Sequence, residues 1–117
     1  MDIKVLSLKE PWATLIASGV KKIETRSWKT TYRGELYIHA SKGKIDDKDK
    51  NIKKLLDYIP NTSLNYGNII CKCNLVDCVY MDEEFVRNIK QNDTEYLCGI
   101  YNARKICMDF RRYSSFR

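Results

Sequence analysis

One strand, one helix, then several strands with helices inserted among them: this order of periodicities constrains the chain most. It contains no regular βαβ alternation and no glycine-rich turn between a strand and a helix, which excludes a doubly wound nucleotide fold. Ile3, Val5 and Leu8, interleaved with Lys4 and Ser7, predict a short opening strand. Pro11 suits the first turn of a helix over PWATLIAS, with Trp12, Leu15 and Ile16 at helical spacing and Gly19 as its stop. KKIETRSW alternates at period two and predicts a second strand, and ELYIHAS predicts a third after a turn near Thr31–Gly34. Ile52, Leu55, Leu56 and Ile59 mark an amphipathic helix ended by Pro60. Residues 68–80 form the longest strand candidate, and 81–90 a short helix with Asp82 as its N-cap. The architecture expected is α+β, a small curled sheet or β-barrel with helices packed across it.

The 117 residues supply one domain. No apolar run approaches the roughly 20 residues that span a bilayer. The N-terminal MDIKVLSLKEPW lacks the layout of a signal peptide, so the expectation is a cytoplasmic protein with no membrane contact. Five cysteines, an odd number, argue against a complete disulfide framework. Cys71, Cys73 and Cys78 contain no C-x-x-C pair, and the lone His39 does not complete a zinc site, so neither a metal nor a cofactor is expected. Cys71 and Cys73 alternate with Lys72 and Asn74, as buried thiols on one strand face would.

Charge is unevenly placed. The net +6 is made of +4 from residues 1–50, with 11 basic and 7 acidic groups, −2 from 51–103, with 5 and 7, and +4 from 104–117, with 5 and 1. The densest cluster lies between Gly19 and Arg33: Lys21, Lys22, Arg26, Lys29 and Arg33 with Glu24 as the one acid, and Trp28 and Tyr32 interleaved. On a strand, Lys22, Glu24, Arg26 and Trp28 share one side; Lys21 faces the other, unless it sits in the preceding turn. A Glu two residues before an Arg can orient the guanidinium as a fork for a phosphate or a base edge. Aromatics among basic groups suit single-stranded nucleic acid. An ordinary surface ion pair, with Trp12 and Trp28 in the core, is the alternative.

These residues also carry a resemblance. GVKKIETR, Gly19–Arg26, is similar to the G-x-K-x-x-E-x-R signature of the ASCH (activating signal cointegrator homology) domain. LSLKEPWATLI before it and RSWKT-x-YRGELYIHAS after it resemble the flanks of that signature. The resemblance implies a PUA-like β-barrel with a helix across it and a cleft that receives RNA or another nucleic acid. Lys21, Glu24 and Arg26 would form the recognition core and Gly19 the turn into it. Trp12, Trp28 and Ser41 would line the cleft, and Arg33, from the basic cluster, joins the nucleic-acid-binding candidates. Some relatives are amidohydrolases acting on a modified nucleoside, 4-acetylcytidine, through a Lys and a Thr of the signature strand. Here Lys21 is kept, Glu24 stands where those relatives have the Thr, and Thr25 would face away. If the chain is an enzyme, an amidohydrolase or a ribonuclease, Lys21 and Glu24 are its catalytic candidates.

The end of the chain departs from that pattern. The family continues after Arg104 into a strand resembling R-Y-A-W-I-L, whereas this chain reads KICMDFRRYSSFR. Read one nucleotide out of frame, Lys105–Arg112 can encode K-Y-A-W-I-L-E, and Met108-Asp109 hides a Trp codon whichever codons are used. The expectation is a single domain over 1–105 and a frameshifted tail over 106–117, with the closing strand lost or degraded. A native, divergent basic tail is the alternative. Sequencing the locus and transcript decides between them; an intact adenine count in the present frame removes the frameshift.

Overall fold

A computed structural model of the chain describes residues 3–26, 29–60, 64–92 and 106–115; in the last segment it describes the backbone and the Met108 side chain. The elements are β1 (Val5–Leu8), α1 (Trp12–Ala17), β2 (Ile23–Arg26), β3 (Gly34–Ala40), α2 (Lys50–Leu56), β4 (Ile69–Tyr80), α3 (Glu83–Lys90) and β5 (Ile106–Ser115). Among the described residues no helix is long and apolar enough to cross a membrane.

The strands form one mixed sheet in the order β1-β3-β4-β5-β2. β1 runs parallel to β3; every other pairing is antiparallel. The expected barrel is thereby corrected to an open α+β sheet with β1 and β2 at its edges. A barrel needs a ladder between its first and last strands. Here each edge strand has four residues, and they are registered with opposite ends of β4. They meet through a side chain instead, Arg26 Nη2 donating to the Ser7 carbonyl at 3.0 Å. Residues 106–115, set apart by the sequence reading, form β5 between β4 and β2. That pairing uses the main chain, which any reading frame supplies, so nucleotide sequencing remains the test of where these side chains come from.

The alternating strand pattern places Leu8, Leu36, Ile38, Cys73, Leu75, Cys78 and Met108 on one face, where Ala13, Ile16 and Ala17 of α1 pack over them. β4 keeps both Leu75 and Cys78 inside because its register with β5 shifts between Leu75 and Asp77. One extra residue reverses the parity of the strand. Leu15 turns away from the sheet to meet Leu55 and Ile59, joining α1 to the amphipathic stripe on and after α2. Asp49 caps α2 by accepting from the backbone N–H of Asn51 and Ile52 at 2.8 and 3.3 Å. Asp82 caps α3 by accepting from Phe85 at 2.7 Å. α3 covers the opposite side of the sheet, where Phe85, Val86 and Ile89 join Met81, Ile23 and Val79.

Cys71, Cys73 and Cys78 are free thiols in the inner layer. Burial, with Cys71 beside it, pushes the Cys73 thiol up from 9.0 to about 12. Its protonated form is the one the fold favours. This contribution to stability is complete below the unfolded value near 9.0 and is lost as pH rises toward about 12. In a thiol titration at pH 8, these three cysteines should stay silent in the native protein and react fully in denaturant. Rapid native labelling of Cys73 would contradict the packing described.

Candidate nucleic-acid interface

The signature begins where α1 ends. Gly19 has φ +84°, the left-handed conformation that lets a chain leave a helix, and its N–H reaches the Ile16 carbonyl at 3.1 Å. The Lys21 N–H then bonds to the Leu15 carbonyl at 3.0 Å, folding the chain back against the helix. Lys21 therefore sits in the turn before β2, the alternative the alternation argument left open. Its side chain is carried inward and is 1% exposed. Lys22 beside it is exposed.

Within β2, register decides direction. Glu24 is directly opposite Met108 on β5, which is opposite Cys78 on β4. Directly paired residues share a face. Met108 and Cys78 are buried in the inner layer, so Glu24 and Arg26 project onto that face at the edge of the sheet. Their side chains are 14% and 26% exposed. Glu24 Oε1 accepts the N–H of Thr25 at 3.0 Å, while Oε2 stands 4.0 Å from Arg26 Nη2. Nη2 is committed to Ser7, and Nε is buried without a hydrogen-bond partner among the described residues. The Ser7 carbonyl points away from β3, as alternation along a strand requires, because the Leu8 carbonyl is the one that accepts from Ser41 at 2.9 Å. Arg26 thus occupies an edge acceptor that a neighbouring strand would otherwise take.

The other candidate residues scatter. Ser41 lies at this end, held to Leu8 by its own N–H. Trp12 is half-buried against Leu15, Leu55 and Ile59, a packing position between helices. Arg33 is tied elsewhere: Nη1 donates to the Thr30 and Tyr32 carbonyls, and Nη2 lies 3.4 Å from the Cys78 carbonyl and 3.7 Å from Asp77. Trp28 lies outside the described residues.

Two residues were missed by sequence reasoning. Glu10, 2% exposed, accepts from the Thr14 N–H and hydroxyl at 2.9 and 2.6 Å, fixing the start of α1. An acid just before a helix is the available signal. Tyr80 pairs with Ile106, which pairs with Arg26, so Tyr80 shares Arg26's face while remaining 53% exposed. No local pattern marks it, since its direction depends on the register shift after Leu75.

The ASCH domain profile matches residues 6–115, from within β1 to the end of β5. The chain belongs to the ASCH domain family. The ASCH chain is 24% identical over 115 residues to activating signal cointegrator 1 of Homo sapiens, and equally to that of Mus musculus. Each match covers 90% of this chain and 20% of the relative, so the chain spans about a fifth of their length.

Proposed function

We propose that this ASCH domain binds single-stranded nucleic acid, RNA foremost, in the cleft formed by Lys21, Glu24 and Arg26 at the seam between β1 and β2. The observation that carries the reading is the half-buried Glu24–Arg26 pair on the inner face. Polar groups with incomplete hydrogen bonding are costly to hold there unless a ligand completes them. Gly19 shapes the approach and Ser41 stands beside it; family membership supports a nucleic-acid partner. Arg33, bound to backbone carbonyls and Asp77, is not part of the proposed cleft.

The Lys–Thr form of the amidohydrolase reading needs a hydroxyl beside the signature lysine, whereas a Glu24-activated water would not. Thr25 alternates to the opposite face from Glu24, so the described part of β2 offers none on the Glu24–Arg26 face. Nucleic-acid binding is the function that the Glu24–Arg26 pair supports best. Its test is a fluorescence-anisotropy titration of a short labelled single-stranded RNA at several salt concentrations. Micromolar or tighter affinity that falls as salt rises, unaffected by unlabelled 4-acetylcytidine, is the expected result. Absence of RNA binding at low salt, or displacement by the nucleoside, would sink it.

A further inference from the structure

We infer that the Glu24–Arg26 pair reads the edge of an unpaired nucleobase that carries an exocyclic amino group, cytosine or adenine over uracil, rather than gripping a phosphate. The inference rests on the nucleic-acid reading above and goes further by giving the site a ligand group.

With Glu24 Oε2 only 4.0 Å from Arg26 Nη2, a phosphate approaching the guanidinium also meets a carboxylate, and the pair has little net charge to offer it. A base edge presents donors and acceptors side by side, which is what this pair complements. A guanidinium has five N–H donors, and the described hydrogen bonds of Arg26 use one, on Ser7. Its buried Nε lacks a partner among the described residues. Glu24 uses Oε1 on the Thr25 N–H, leaving Oε2 directed toward the guanidinium. An amino group can donate to that carboxylate while the adjacent ring nitrogen or carbonyl accepts from Arg26. Uracil meets the pair less well: its single N–H is flanked by two carbonyls whose lone pairs face the carboxylate. The exposed Lys22 beside the pair supplies the charge that a backbone phosphate needs.

Tyr80 contributes independently. It stands in Arg26's row, two strand spacings or about 10 Å away, and on the same face. Its exposed ring is a stacking platform from which a base can extend its edge toward Glu24 and Arg26.

The test uses four labelled single-stranded oligomers of equal length: cytidine, adenosine, uridine and an abasic backbone. Wild-type protein should bind the cytidine and adenosine oligomers about tenfold more tightly than the other two. Glu24→Gln, which keeps the side-chain shape, should reduce that preference to about twofold or less. Tyr80→Ala should weaken the oligomers that carry bases and leave the abasic one unchanged. Equal wild-type affinity for all four would overturn base reading while leaving nucleic-acid binding intact. Uniform tightening by Glu24→Gln would place the pair on the phosphate path and overturn it as well. Failure of every oligomer to bind would remove both readings.

Discussion

Arg26→Ala is expected to weaken RNA binding by more than tenfold and to lower stability by about 1–2 kcal/mol, seen as a Tm reduced by several degrees. The two losses have separate origins. Binding falls because the guanidinium is the main donor group of the site. Stability falls because Nη2 is the described hydrogen bond joining the edge strands, and its removal returns the Ser7 carbonyl to water. The partly buried stem of Arg26 also leaves a gap at the end of the inner layer. Arg26→Lys separates the roles. It keeps one positive charge, so the salt dependence of binding should persist, but an ammonium cannot hold Ser7 and present a planar fork together. Base preference should therefore shrink more than overall affinity. Measuring Tm and the four-oligomer affinities on both variants checks this. An Arg26→Ala protein with wild-type Tm and wild-type affinity would refute both the seam and the site.

Elements written by short-range periodicity were legible in the sequence. The apolar stripe of Ile52, Leu55 and Ile59 on and after α2, the Asp82 cap of α3 and the long β4 were all expected and all occur. Buried Cys71 and Cys73 followed from simple alternation. What escaped depends on long-range register. Buried Cys78 and exposed Tyr80 share the inner-layer face of the sheet only because the β4–β5 register shifts between Leu75 and Asp77, which a single-strand pattern does not announce. The strand order β1-β3-β4-β5-β2 escaped for the same reason, since it is decided by partners far apart in the chain. The site was half legible. Lys21, Glu24 and Arg26 stood out as a charge cluster, but the Arg26–Ser7 bond spans 19 residues of sequence and the Glu10–Thr14 pair belongs to a helix start rather than to the cluster. Arg33 shows the converse. Its charge drew it into the cluster, while the fold ties it to backbone carbonyls.

Lys21→Met should cost binding without unfolding the domain. Lys21 is 1% exposed, and a methionine of similar length keeps most of the apolar stem volume packed. Its N–H bond to Leu15 is a backbone bond that the substitution leaves in place, and Gly19 continues to turn the chain. What disappears is a buried amine whose charge, with a polyanion bound beside it, is screened less than that of a surface lysine. RNA affinity should fall about tenfold, and the slope of log affinity against log salt should become less negative by about one. Lys22→Met supplies the contrast. That neighbour is exposed, so its charge is already screened, and its loss should change affinity by no more than about threefold. If Lys21→Met folds with a Tm near wild type and the RNA titration is unchanged in affinity and slope, the buried lysine belongs to the architecture of the turn and not to the interface. If Lys22→Met has the larger effect, the RNA backbone crosses the outside of this turn and the cleft does not receive it.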